Sequence, residues 1–264
     1  MHAGGEKIGS ELSRDSSLHT SVHPSVVLGE DVVLADGVVL GPGCVIGDRV
    51  SIGAGTTVHA GVCIGDDVET GSACELGHGC VILAGSRLGH RVSIGPSAVL
   101  GADGFGFVES GGVHHKIPQV GTVVLGDDVV IGAGACVDRA TTGETVLGQA
   151  TRVGPLVQIG HNVRFGSRCV IGAQAGVAGS CVFGDDVTLG DQVGTIPHVR
   201  VGSGVVAGRR TGFTKSVPAG IQVDGYPVRP REEHLWLLEQ IDGLVSLTAR
   251  LDRLEHALDS EGTP

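Results

Sequence analysis

Aromatic residues are scarce: one Trp, one Tyr and five Phe in 264 residues. That excludes a core built on large rings, which dominate burial in ordinary globular cores. No run of 18 apolar residues occurs, which excludes a membrane-spanning helix. The first 21 residues lack the apolar stretch of a secretory leader, so a cytoplasmic location is expected. Basic residues are also few. Lys and Arg total 18 against 29 Asp and Glu, a net charge of −11. Non-specific nucleic-acid binding needs a positive field and is not expected. The seven Cys form no CxxC pair of the metal-binding type, and read as reduced structural thiols.

What is abundant is glycine, 46 residues, in a chain of mean hydropathy +0.25. Such a chain buries apolar surface and is not disordered. Its core must come from many small aliphatic contacts and tight turns.

The pattern is a repeat. From Val26 the chain parses as VVLGED, VVLADG, VVLGPG, CVIGDR, VSIGAG, TTVHAG, VCIGDD, VETGSA, CELGHG, CVILAG, SRLGHR, VSIGPS and AVLGAD. Every third-position residue from Leu28 to Leu100 is aliphatic except Thr70. The register breaks at Asp103 and resumes at Leu125, Ile131 and Val137. It slips by four residues near Thr141 to Glu144, then runs from Leu147 to Phe213. Cys44, Cys74, Cys80, Cys169 and Cys181 fall at the first position, Cys63 and Cys136 at the second.

Six residues suit a short strand and a turn. One aliphatic side chain per unit is expected to point inward, with glycine-type residues at corners that need positive φ. Three units make a triangular coil of 18 residues, and stacked coils pair their strands in parallel. Residues 104–122 are an insertion holding Phe105 and Phe107, and long insertions in a compact fold tend to carry function. After Pro230, residues Leu237, Ile241, Leu244, Leu247, Leu251, Leu254 and Leu258 share one helical face. Such a helix is expected to cap the solenoid or to bundle with copies of itself. The predicted organisation is a poorly ordered segment 1–21, a β-helix over 22–228 with the loop 104–122, and a helical extension over 229–264.

Several motifs are more specific than the repeat: GADGFGF at 101–107, KIPQVG at 116–121, IGAGACVDRATTGET at 131–145, VQIGHNV at 157–163, GVAGS at 176–180, GDQVG at 190–194 and TKSVPAG at 214–220. In this order they resemble the UDP-3-O-acylglucosamine N-acyltransferases of lipid A biosynthesis, over residues 22–258. The resemblance implies an all-β fold, a left-handed parallel β-helix of hexapeptide repeats with a C-terminal α-helical extension. It implies a homotrimer with active sites between adjacent solenoids. It also implies N-acyl transfer, with no cofactor beyond an acyl carrier protein or CoA thioester as donor, to the amine of a nucleotide-linked amino sugar. Ahead of the first repeat the family's nucleotide-binding domain is missing. Gly154-Pro155 stands where the family has Asp-Asn, and Pro197-His198 where it has Gly-His. The alternative is a CoA-dependent N-acyl- or N-acetyltransferase acting on another nucleotide-linked amino sugar.

Amide formation from a thioester needs a base, donors for the oxyanion and a groove for the acyl chain. His161 sits at the fifth position of VQIGHN, an outward turn, and the resemblance makes it the base; a solvated turn histidine is the plain alternative. One coil further on is Gly179, whose N–H is a candidate oxyanion donor; otherwise it is a corner glycine. By resemblance His198 binds substrate, and Asn162 orients base or substrate. Asp138 and Arg139 match an Asp-Arg pair of the family, or form a structural ion pair. Phe105 and Phe107 wall the substrate pocket or pack on the coil below. Arg209, Arg210, Lys215, Arg229 and Arg231 cluster late in the chain, compatible with docking an acidic carrier protein or with a solvated surface. A three-His zinc site of the carbonic-anhydrase type is not expected, since no His stands five residues from His161 or His198. A non-catalytic scaffold predicts neither the base-and-glycine pair nor the aromatic insertion.

Overall fold

A computed structural model of the chain describes residues 19–261; most of the segment expected to be poorly ordered, residues 1–18, lies outside them. Short strands stack into three parallel sheets of twelve, ten and nine strands. Pairing begins at Ser21, opposite Val39. In the first sheet Val39 pairs with Thr57, Thr57 with Glu75 and Glu75 with Ser93, one 18-residue coil per step. The register slip of one residue that would turn the core outward is blocked at every coil, because each strand is buried on one side only.

Two side chains per unit point inward, not one. The third-position residues Leu40, Ile46, Ile52, Leu76, Ile94 and Leu100 are buried, and so are the first-position residues Val38, Cys44, Val50, Cys74, Val92 and Ala98. This follows from strand geometry: side chains alternate, so positions one and three share a face while position two points out. Long residues occupy the strand and small ones the entry to it, which lets three faces close on a narrow core. The five first-position cysteines are buried in this way, whereas second-position Cys63 is exposed. Each fully buried Ile or Leu contributes about 1.5–3 kcal/mol.

The corners also differ from expectation. The sixth position adopts the left-handed conformation whatever its residue: Arg49, Asp67, Leu156, Asn162, Ser180 and His198 have φ of +54°, +57°, +57°, +59°, +63° and +62°. The strain, about 1–2 kcal/mol for a residue with a Cβ, is offset by a hydrogen bond to the coil before, as from Arg49 N–H to Glu30 O at 2.7 Å. Glycine is needed instead at the fourth position. A Cβ on Gly53 would lie 2.4 Å from the Gly71 carbonyl carbon of the coil stacked on it.

Two departures from the 18-residue coil shape one side of the solenoid. The insertion is a β-hairpin rather than a plain loop: Phe107–Ser110 pairs antiparallel with Val113–Lys116. Gly111 and Gly112 join them with φ of +61° and +77°, as a two-residue type I′ turn requires. The second departure is a coil in which Leu125 pairs with Leu147 and Val137 with Ile159, four residues longer than the standard. The C-terminal helix, Arg231–Glu261, does not cap the solenoid core. It follows an antiparallel strand at Arg229–Pro230, and Ile241, Leu244, Leu251, Leu254 and Leu258 on it are exposed.

Candidate active site

His161 lies at the corner after the strand Gln158–Ile159 and is half-buried. Its Nδ1 is 3.2 Å from Asn162 Oδ1 and 3.3 Å from Thr141 Oγ1. Asn162 Nδ2 donates to Thr142 O at 2.8 Å, and Asn162 Oδ1 accepts from Thr141 N–H at 2.9 Å. These bonds fix which end of the amide faces the ring. A carboxamide oxygen only accepts, so Nδ1 carries the ring proton and Nε2 keeps its lone pair. The Thr141 hydroxyl donates to Gln119 Oε1 at 3.0 Å, which leaves its oxygen to accept from Nδ1. Gln119 is buried and donates through Nε2 to Ile117 O.

The free ring nitrogen faces Gly179. A Cβ on Gly179 would stand 2.5 Å from His161 Nε2, so only glycine leaves that nitrogen open. The Gly179 carbonyl accepts from His198 N–H at 3.2 Å, and its own N–H meets no acceptor among the described residues. Gly104, from the inserted segment, closes the other side: a Cβ there would lie 2.7 Å from His161 Cβ. The base is thus held by the long coil on one side and by the insertion on another.

A cleft of about 730 Å³ opens over this corner, lined by Asp103, Phe105, Cys136, Asp138, Gln158, His161, Gly179 and His198 among others. Asp138 is only 7% exposed. Burial raises its carboxyl above the usual range, while Gln158 and Cys136 lower it by hydrogen bonding. The neighbouring Cys136 thiol is pushed up to about 11, by burial first and then by the charge of Asp138. It is a neutral wall, not a nucleophile. The arrangement supplies an unprotonated imidazole nitrogen, an unused backbone donor beside it and a partly apolar trough.

His161, Gly179, His198, Asp138 and Phe105 therefore converge, and three other sequence-stated residues do not. Asn162 is spent on the 141–145 segment, also donating its N–H to Thr145 Oγ1; it orients the base and does not line the cleft. Arg139 turns away, donating to Gly101 O at 2.7 Å and Ala84 O at 3.1 Å, and lies 3.9 Å from Asp103; it makes no ion pair with Asp138. Phe107 meets Phe105 edge-on with centroids 5.1 Å apart but lines a separate trough of about 620 Å³ with Gly106, His114 and Ile117. Neither ring packs on the coil below, and Phe105 is 88% exposed.

Sequence reasoning missed Gln119, Thr141 and Gly104 as supports of the base. Each sits in a segment that breaks the repeat, which was the available signal. Gln174 and Gln192, unexplained at first, form a ladder with Arg210: Gln192 Nε2 donates to Gln174 Oε1 and Arg210 Nε to Gln192 Oε1, both at 2.8 Å. The late basic cluster is largely neutralised, Arg209 by Asp191, Arg229 by Glu233 and Arg231 by Asp224. Among the described residues no three His, Cys, Asp or Glu side chains converge as metal ligands, and no helix is long and apolar enough to cross a membrane.

No family model matches the chain. A UDP-3-O-acylglucosamine N-acyltransferase of Methylobacterium nodulans is 44% identical over 152 residues, 58% of this chain and 43% of that protein. The second such enzyme of Rhodopseudomonas palustris strain BisB18 is 41% identical over 165 residues, 62% of this chain and 43% of its own. The resemblance read from the motifs holds. The chain spans under half the length of the curated relatives it matches. Among solved structures, a UDP-N-acetylglucosamine acyltransferase of Arabidopsis superposes with a TM-score of 0.66 at 22% identity, over 80% of this chain and 72% of that one. One from Francisella novicida gives 0.63 at 25% identity, over 79% and 69%. The fold is the left-handed β-helix of these acyltransferases.

Proposed function

We propose that the chain transfers an acyl group, of the 3-hydroxyacyl kind, from a carrier thioester to the amine of a nucleotide-linked amino sugar, as in lipid A biosynthesis. The observation that carries this reading is the His161–Gly179 pair: a lone-pair Nε2 aimed at a glycine whose N–H is unused. The amine attacks the thioester carbonyl, and His161 Nε2 takes the proton that the nitrogen sheds. The Gly179 N–H steadies the oxyanion. The C–S bond then breaks, and His161 returns the proton to the leaving thiolate. His198, across the cleft, contacts the sugar or its phosphate.

The donor is an acyl carrier protein, with acyl-CoA as the other candidate, and no further cofactor takes part. The working unit is a homotrimer in the cytoplasm. The 88% exposure of Phe105 beside the cleft, and the bare apolar stripe of the C-terminal helix, support a neighbouring copy that covers them.

A transfer assay tests the proposal. Purified protein is given UDP-3-O-acylglucosamine with a hydroxyacyl carrier protein, and in parallel with acyl-CoA. An N-acylated sugar from the carrier protein supports the reading. Product from CoA on other amino sugars alone would replace it with the CoA-dependent alternative.

A further inference from the structure

Asp138 stands out among the groups lining the cleft. It is a carboxylic acid more than nine-tenths buried, yet no cation pairs with it among the described residues. The nearest arginine in sequence, Arg139, is committed to the carbonyls of Gly101 and Ala84 and to Asp103. Its polar neighbours are neutral: the Gln158 amide and the Cys136 thiol, whose Sγ lies 3.8 Å from Asp138 Oδ1. The other charged group near it in the cleft, Asp103, is of like sign and is itself paired with Lys116. A buried acid that is neither paired nor orphaned by accident is costly to keep. Its side chain faces the same cleft as His161 and Gly179.

We propose that Asp138 is the site that receives the ammonium form of the acceptor amine, and that it makes the cleft select an amine over a hydroxyl. This rests on the acyl-transfer reading above. An amine on a carbon flanked by oxygen-bearing carbons titrates near neutral pH, as an α-amino group does, so much of it arrives charged. A desolvated carboxylate gains most from a cation that enters with it. A sugar hydroxyl in the same place brings no charge and gains little.

The proton balance closes without any further reactant. The bound ammonium gives one proton to His161 Nε2, which releases it to solvent. The amine, still held through an N–H by Asp138, attacks the thioester carbonyl and forms the C–N bond. Its second proton goes to Nε2 as the C–S bond breaks, and from Nε2 to the departing sulfur. The sum is ammonium plus thioester giving amide, thiol and one proton.

The test pairs equilibrium binding with turnover, on the full chain. Wild type, Asp138→Asn and Asp138→Glu are titrated with a UDP sugar carrying an amine at the reacting carbon and with its hydroxyl counterpart, from about pH 6 to 9. Wild type is expected to favour the amine by about ten-fold or more at the acid end, with the preference fading as the amine loses its charge. Asp138→Asn is expected to abolish that preference while binding the hydroxyl sugar unchanged, and Asp138→Glu to restore part of it. Equal binding of both sugars by wild type, or an undiminished preference in Asp138→Asn, overturns the assignment. The acyl-transfer assay on the same samples separates the two claims. Product formed without amine preference sinks only the role of Asp138. Amine preference without product sinks only the transfer reaction.

Discussion

Replacing Gly179 by Ala tests the site most directly, because the structure fixes what the added methyl meets. Its Cβ would stand 2.5 Å from His161 Nε2, 2.8 Å from Cε1 and 2.9 Å from Cδ2. Real carbon atoms do not approach so closely, so the ring must turn. The ring is tethered at Nδ1 by Asn162 and Thr141, and turning it gives up both bonds, about 1 kcal/mol each. Gly179 is not in the left-handed region, so alanine adds no backbone strain. The expected result is a fall in kcat of about 10²–10³, the usual cost of misplacing a reacting group by an ångström, with a melting temperature lowered by only a few degrees. The Gly179 N–H survives the substitution, so the loss reports the base and not the oxyanion donor. Gly243→Ala, in open space on the C-terminal helix, serves as the control and should leave kcat alone. Near-wild-type turnover in Gly179→Ala would show that Nε2 is not the reacting atom.

Other consequences can be checked in the same protein. His161→Ala should lower kcat by several orders of magnitude while the melting curve stays cooperative; full activity would remove His161 from the mechanism. Asn162→Ala should cost about 1–3 kcal/mol in denaturant titration, because it strips the Thr141 N–H and Thr142 carbonyl of partners, and should lower kcat as well; a stable variant of unchanged kcat would refute the tether. With a thiol whose pKa is pushed up to about 11, Cys136 should resist iodoacetamide near pH 8 while exposed Cys63 is labelled, as peptide mass spectrometry would report; rapid labelling of Cys136 would contradict the burial. Hydrogen bonding to Arg168 holds the Asp186 carboxyl below its usual range. Its contribution is then present above the ordinary carboxylate range and lost as pH falls through the lowered value, so acidification should cost wild type more stability than Asp186→Asn.

Much of the architecture was legible because the repeat is strict. A period of six with an aliphatic third position has few physical solutions, and the 18-residue pairing of Thr57 with Glu75 or Arg164 with Val182 follows from it. The double inward face was less visible. First-position residues vary in type, from Val38 to Cys44 to Thr56, because the constraint there is size and not hydrophobicity alone. Thr56 is fully buried yet donates to Gly71 O, which a hydropathy pattern does not convey. Corner glycines misled for the opposite reason. Positive φ looked like the reason for glycine, but the fourth-position contacts with the next coil demand it more strictly than the sixth-position dihedral does. The turn in the insertion was written in Gly111-Gly112 between alternating residues, and was passed over because the segment broke the dominant period.

The broken period locates the site. A regular coil offers a ligand the same shallow corner at every turn, and no corner differs from its neighbours enough to bind selectively. Here both irregularities meet at one corner. The inserted segment brings Gly104 against His161 Cβ and Gln119 to the Thr141 hydroxyl. The four extra residues of the long coil bring Thr141 and Thr142 to Asn162. Neither departure alone would hold the ring: the first supplies the wall, the second the tether that sets the tautomer. Restoring the standard coil by deleting four residues between Thr141 and Glu144 would keep every core contact of the third position and release His161 from Nδ1. The rigid solenoid supplies position, and its two lapses supply chemistry.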